Sequence, residues 1–126
     1  MSDKNKQPTL EILANGSKEW RLNGKLHRLD GPAREFANGT KEWWQNGKPH
    51  REDGPACEYF NGSKFWWQNG KRHRLDGPAV EKADGSKQWF INGKNLSESE
   101  FKRIKKLNQA NQSNEKPLSF FDFLIL

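Results

Sequence analysis

Three histidines, His27, His50 and His73, lie 23 residues apart, and each opens the same string, His-Arg-x-Asp-Gly-Pro-Ala. Imidazole, guanidinium and carboxylate groups are the materials of metal sites, acid–base pairs and anion-binding surfaces. Spacing decides among these. Ligands of one zinc sit ~2.0–2.1 Å from the metal, hence within about 4 Å of one another. If each unit contributes two strands, equivalent histidines lie about 9–10 Å apart, too far to share an ion. The column therefore reads as a set of turn braces, each His or Arg bonded to the nearby Asp or to strand-end carbonyls, with no metal. Catalysis needs a singular trio of nucleophile, base and orienting group, whereas these His and Asp residues are copies of one another. Every glycine follows Asn or Asp in a turn pair, so there is no glycine-rich phosphate loop. The expectation is a protein that is not an enzyme, with no catalytic residue and no cofactor.

Arg28, Arg51 and Arg74 recur beside Asp30, Asp53 and Asp76. Two readings stay open. The pairs form an internal Arg–Asp ladder, or each Asp caps its own Gly-Pro turn and leaves the arginine for phosphates or carboxylates. A row of arginines beside Trp44, Trp67 and Phe90 is the type of surface that stacks bases and follows a phosphate backbone. It serves equally as a contact for a protein. The candidate partner-binding residues are thus Trp44, Trp67, Phe90, Arg28, Arg51 and Arg74. No basic run, RNP-type aromatic motif or zinc-finger spacing strengthens the nucleic-acid reading.

The elements that must position these groups follow the same period. Asn15-Gly16 returns as Asn38-Gly39, Asn61-Gly62 and Asp84-Gly85; Trp20 returns as Trp43, Trp66 and Trp89; Asn23-Gly24-Lys25 also has three later copies. A fixed period of this length means supersecondary units that stack to bury what one unit cannot. Lys41 to Gln45 reads as a strand ending at Asn46-Gly47, a pair suited to a type I′ hairpin turn. Lys48 to Arg51 is its return, Asp53-Gly54-Pro55 breaks the ladder, and Ala56 to Phe60 forms the next strand. Period-2 alternation puts Lys41, Trp43 and Gln45 on one face and Glu42 and Trp44 on the other. The unvarying Trp43 column is expected in the core. The varying column of Arg21, Trp44, Trp67 and Phe90 is either a working face or a second packed layer.

Residues 1–8 read as a flexible N-terminus and 9–94 as the repeat array, opened by a half-unit at Thr9 to Ala14. Residues 95–126 hold a helix over Leu96 to about Gln109, a polar linker and an apolar tail. Ser97 and Glu100 form a capping box, Leu96 and Phe101 a staple, and Phe101, Ile104 and Leu107 an apolar face. The tail, Leu118 to Leu126, either covers the last sheet edge with the helix or meets a partner. A homodimer through Phe120, Phe121 and Phe123 is one such contact.

The 126 residues suit one domain, and six Trp with eight Phe offset a composition that is only 32% hydrophobic and 30% charged. The net charge of +6 is interspersed with acids, a mild bias towards acidic partners. Cys57 is the only cysteine, and no intrachain disulfide can form. The N-terminus lacks a signal-peptide core and the tail is too short to span a bilayer, so a cytoplasmic protein is expected.

The pattern Asn-Gly-x-Lys-x-Trp-x-x-Asn-Gly-Lys-x-His-Arg-x-Asp-Gly-Pro-Ala over residues 9–94 resembles MORN repeats, and MORN-like proteins of bacteria and bacteriophages, antitoxin-like ones among them. One position departs, because MORN units usually follow the His with Gly where this chain has Arg28, Arg51 and Arg74. The resemblance implies an elongated, twisted sheet of tandem antiparallel β-hairpins, and a role in protein scaffolding or at acidic phospholipids. The whole reading is an all-β repeat fold with a short C-terminal capping helix and an apolar tail. Its expected function is to bind and occlude a partner protein, as an inhibitor or antitoxin-like module. Nucleic-acid binding is the alternative, and an anionic membrane surface the third.

Overall fold

Two kinds of turn alternate along the chain and fix where each strand begins. A computed structural model describes residues 6–113. At Asn46-Gly47 both residues have positive φ, 52° and 77°, the type I′ geometry expected of this pair. Asn23, Asn69 and Asn92 repeat it. At Asn15-Gly16 only the glycine is left-handed. There Asn15 Oδ1 accepts the Ser17 N–H at 2.9 Å while the Gly16 N–H donates to the Leu13 carbonyl, a type I turn closed by a left-handed glycine.

Among the described residues run fourteen short strands and one helix. The first half of the array holds β1 (Thr9–Ile12), β2 (Lys18–Leu22), β3 (Lys25–Leu26), β4 (Arg34–Glu35), β5 (Lys41–Glu42), β6 (Trp44–Gln45) and β7 (Lys48–Pro49). The second half holds β8 (Cys57–Glu58), β9 (Lys64–Phe65), β10 (Trp67–Gln68), β11 (Lys71–Arg72), β12 (Val80–Glu81), β13 (Lys87–Ile91) and β14 (Lys94–Leu96), followed by α1 (Glu98–Ser113). One antiparallel sheet runs in the order β1-β2-β4-β5-β8-β9-β12-β13-β14, with β3 paired to β2, and β6–β7 and β10–β11 stand as separate hairpins. This is the all-β hairpin-repeat fold with a C-terminal helix. Its strands are more numerous and shorter than the sequence suggests. Lys41 to Gln45 reads as one strand but divides at Trp43, whose N–H donates to the Ala56 carbonyl and whose carbonyl accepts the His50 N–H. The tryptophan is the point where the strand leaves the sheet and enters its hairpin. Ala56 to Phe60 likewise contracts to Cys57–Glu58.

Register sorts the side chains as the period-2 reading predicts. One face carries the row Glu19, Arg34, Glu42, Cys57, Phe65, Val80 and Gln88, each paired with the next. The opposite face carries Lys18, Glu35, Lys41, Glu58, Lys64, Glu81 and Lys87, an unbroken alternation of charge between neighbouring strands. Opposite charges in direct register favour this pairing, and a one-residue slip would destroy it.

The core differs from expectation. Trp20, Trp43, Trp66 and Trp89 are only half-buried, and the fully enclosed column is Ala33, Ala56 and Ala79, at 0%, 1% and 0% exposure. A sheet whose inner strands are two residues long offers no second layer thick enough to enclose an indole. The small alanine side chain fits where consecutive units meet. Side chains add cross-links between units: Ser17 Oγ, Thr40 Oγ1 and Ser63 Oγ accept the N–H groups of Ala37, Phe60 and Ala83, each twenty residues onward.

The conventional hydrophobic cluster lies at the C-terminal end, where Ile91, Leu96, Phe101 and Ile104 pack with Trp89 beside them. The capping box forms as read: Glu100 N–H donates to Ser97 Oγ at 3.1 Å and Ser97 N–H to Glu100 Oε1 at 3.0 Å. Leu96 belongs to β14 rather than to the helix. Leu107, on the same apolar face as the buried Phe101 and Ile104, is 42% exposed. The tail and its Phe120, Phe121 and Phe123 lie outside the described residues.

The alanine column yields a stability test. Replacing Ala79 by Leu forces a branched side chain into a site with no accessible surface, and should cost about 1–3 kcal/mol in urea unfolding. An unchanged midpoint would mean that the units are not packed against each other there.

Candidate functional site

The repeated string is best understood from its arginine. The Arg51 guanidinium carbon sits 3.8 Å from the centre of the Trp43 ring, with Arg74 on Trp66 at 3.8 Å and Arg28 on Trp20 at 3.9 Å. On its far side lies the glycine of the same string. A methyl group at Gly54 would come within 3.0 Å of the Arg51 guanidinium carbon, and one at Gly31 within 2.9 Å of that of Arg28. These glycines do not have positive φ. Glycine is needed there to make room for the cation, which lies between an indole and bare backbone.

Hydrogen bonds lock the arrangement. Arg51 Nε donates to Asp53 Oδ1 at 3.1 Å and its Nη1 to the Pro55 carbonyl at 3.1 Å and Glu58 Oε1 at 3.3 Å. Arg74 repeats all three bonds with Asp76, Pro78 and Glu81, and Arg28 repeats the first two with Asp30 and Pro32. The internal Arg–Asp ladder is therefore the arrangement observed. The three arginine side chains are only 22–23% exposed.

The histidines brace as expected, but to different partners. The Asn46 N–H donates to His27 Nδ1 at 3.0 Å, Asn69 N–H to His50 Nδ1 at 3.0 Å, and Asn92 N–H to His73 Nδ1 at 2.9 Å. Each imidazole holds the hairpin turn of the following unit, nineteen residues away. An accepting Nδ1 places the proton on Nε2, so the brace requires neutral histidine. Among the described residues no group of three His, Cys, Asp or Glu side chains is placed to hold a metal.

The candidate residues fall on two faces. Arg28, Arg51 and Arg74 stack on the invariant tryptophans and line two open clefts, of about 650 and 600 Å³, between successive loops. Trp44 and Trp67 lie on the other side of the pleat and line a groove of about 280 Å³ with Glu42, Pro49, Ala56, Cys57, Tyr59, Phe65 and Arg72. Phe90 joins them through Arg72, whose guanidinium carbon lies 5.3 Å from the Trp67 ring, 5.4 Å from Phe90 and 5.6 Å from Phe65. Trp44 Nε1 donates to Glu42 Oε1 at 3.1 Å, and the Tyr59 and Phe65 rings meet edge-on at 5.3 Å. Residues around the aromatic column, Arg72, Tyr59 and Phe65 above all, are missing from the sequence reading. Their signal was present, since each occupies a position that changes from unit to unit.

Charge on this face is mostly compensated. Burial pushes the Glu19 carboxyl up, but hydrogen bonds and positive charge from Arg21 and Arg34 outweigh it and hold the group below the usual carboxylate value. Arg34 also reaches Glu42, at 3.4 Å. Burial, with the Glu42 charge beside it, pushes the Cys57 thiol up to about 12. With that value, near pH 8 only about one thiol in ten thousand is the reactive thiolate. Thiol reagents should therefore modify Cys57 at the rate of unfolding rather than of simple contact. Stoichiometric labelling within the mixing time of the native protein would contradict its enclosure.

Burial lowers the His73 pKa below its ordinary 6.5. The unfolded chain then takes up a proton at higher pH than the folded one. The stability this group contributes is full above about pH 6.5 and declines as the pH falls towards the lowered folded value. His73→Gln should flatten this part of a pH–stability profile measured by urea unfolding, and an unaltered slope would remove His73 as its source.

No helix among the described residues is long and apolar enough to cross a membrane. Comparison with models of protein families, with curated proteins and with solved structures returns no match, so the array and its two faces are the ground for assigning a role.

Proposed function

We propose that this chain is a non-enzymatic protein-binding module that occludes the surface of another protein, in the manner of an inhibitor, through the face bearing Trp44, Trp67 and Phe90. The observation that carries the reading is where the units differ. The positions held by Glu19, Glu42, Phe65 and Gln88, by Arg21, Trp44, Trp67 and Phe90, by Leu26, Pro49, Arg72 and Asn95, and by Arg34, Cys57 and Val80 all share this face. The repeated Trp, His, Arg, Asp, Gly, Pro and Ala are occupied in holding the array together. Four varying columns thus gather on one surface, and in the middle units that surface is aromatic.

Aromatic side chains and arginine concentrate at the energetic centres of protein interfaces because they bury large area at small entropic cost. Shallow grooves without an enclosed polar centre suit a macromolecular partner better than a small molecule. The commitment of Arg28, Arg51 and Arg74 to Trp and Asp weighs against a phosphate backbone as the ligand. A mixed surface of this type gives affinity with modest salt dependence, unlike counterion release from a nucleic acid.

The test is capture of partners by the tagged chain and by its Trp44→Ala and Trp67→Ala variants, with nuclease and at two salt concentrations. Each variant should weaken a nuclease-resistant protein complex about tenfold or more, roughly 1.4 kcal/mol, with its urea midpoint near that of the parent. Capture that disappears with nuclease would assign the face to nucleic acid. Variants that unfold would make these rings a packed layer and remove the face as a binding surface.

A further inference from the structure

Arg72 is the exception in the array. Arg21 pairs with Glu19, Arg34 with Glu19 and Glu42, and Arg28, Arg51 and Arg74 with their aspartates. Among the described residues, no carboxylate lies within ion-pair distance of Arg72, and its Nε is enclosed without a hydrogen-bond partner. The guanidinium is instead surrounded by the rings of Phe65, Trp67 and Phe90, each 5.3–5.6 Å away. It occupies a position that is Leu26, Pro49 and Asn95 in the other units, so nothing in the repeat architecture demands a cation there.

A guanidinium offers five N–H donors in a planar fork matched to a carboxylate, and it cannot shed its charge. Rings satisfy the face of that ion but not its edge. A partly enclosed cation with an unmet edge is a specificity element, because a carboxylate arriving within an apolar segment completes it while a neutral segment leaves it unpaired. The groove beside it supplies the apolar complement through Trp44, Trp67, Pro49 and Tyr59, and its carboxylate, Glu42, is already engaged by Arg34 and Trp44 Nε1.

Resting on the protein-binding reading of this face, we propose that the groove takes an extended segment of a partner protein in which an Asp or Glu is flanked by aromatic or aliphatic side chains, and that Arg72 receives the carboxylate. Trp44 and Trp67 supply contact area, and Arg72 selects the acid.

The experiment is selection from a random peptide display library on the full-length chain, followed by affinity measurement of selected peptides against the parent, Arg72→Gln, Arg72→Lys and Trp67→Ala. The selected peptides should share an acidic residue between apolar neighbours. Arg72→Gln should weaken them roughly 10- to 100-fold, the range for a hydrogen bond to a charged group, and Arg72→Lys by less. Changing the peptide Asp to Asn should reproduce the Arg72→Gln loss without adding to it. Circular dichroism of each variant, matched to the parent, keeps the comparison to folded protein. Peptides that depend on Trp67 but carry no acid, or ignore Arg72→Gln, would overturn the role of Arg72 and leave the protein-binding face intact. Selection of nothing, or of peptides indifferent to both residues, would overturn both. A concentration-dependent dimer in sedimentation, abolished by Trp67→Ala and by Arg72→Gln, would give the groove to a second copy of this chain, whose Phe121-Asp122-Phe123 has the same chemistry, and would overturn the assignment to a partner protein.

Discussion

Each repeated guanidinium lies flat on an indole, backed by a glycine and tied at its edge to an aspartate and a proline carbonyl, and the array is organised around that contact. A single-layer sheet with inner strands of two residues exposes any large ring it carries. Burying the invariant tryptophans by conventional means would need a second sheet or a row of helices, which 23 residues cannot provide. The chain covers Trp20, Trp43 and Trp66 each with an arginine instead, and the last, Trp89, with the C-terminal cluster. The cation gains the attraction of the ring face, of order 0.5–2 kcal/mol, and loses little hydration because its edge is already hydrogen-bonded. Asp, Gly, Pro and Ala in the string then have separate reasons: an acceptor for Nε, a space for the guanidinium, a carbonyl for Nη1, and a small side chain where the next unit closes over.

The second coupling runs between units. Each imidazole accepts an N–H from the turn that follows, and each Ser or Thr after an Asn-Gly pair accepts one from twenty residues onward. Each unit satisfies part of its neighbour's backbone, so stability is shared among nearest neighbours. The two ends are closed differently. Ile91, Leu96, Phe101 and Ile104 form a compact cluster under α1, whereas β1 is exposed along its length, with Ile12 63% exposed.

With the repeated residues committed to architecture, other positions are free to differ, and the register collects four such columns on one side. Along that side the row passes from the ionic group Glu19, Arg34 and Glu42 to the apolar group Cys57, Phe65 and Val80. The aromatic groove sits where the two regimes meet. A periodic scaffold thus carries an aperiodic surface.

Much of the fold was legible in the sequence because its signals are local. Asn46-Gly47 must accept positive φ, alternation assigns Trp43 and Trp44 to opposite faces, and Ser97 with Glu100 caps a helix within four residues. The site was legible in part. Trp44, Trp67 and Phe90 stood out as a varying aromatic column, but Arg28, Arg51 and Arg74 were joined to them by spacing alone. Only the folded chain separates them, since Arg51 turns back onto Trp43 through the Asp53-Gly54-Pro55 loop while Trp44 points through the sheet. Likewise the reach of His27 to Asn46, the enclosure of Ala79 and the isolation of Arg72 depend on how one unit lies over the next. The sequence by itself determined the period, the turns and the alternation of faces, because these depend on neighbouring residues. The tertiary structure decided which charges are paired and which one is left, because that depends on distances between residues far apart in the chain.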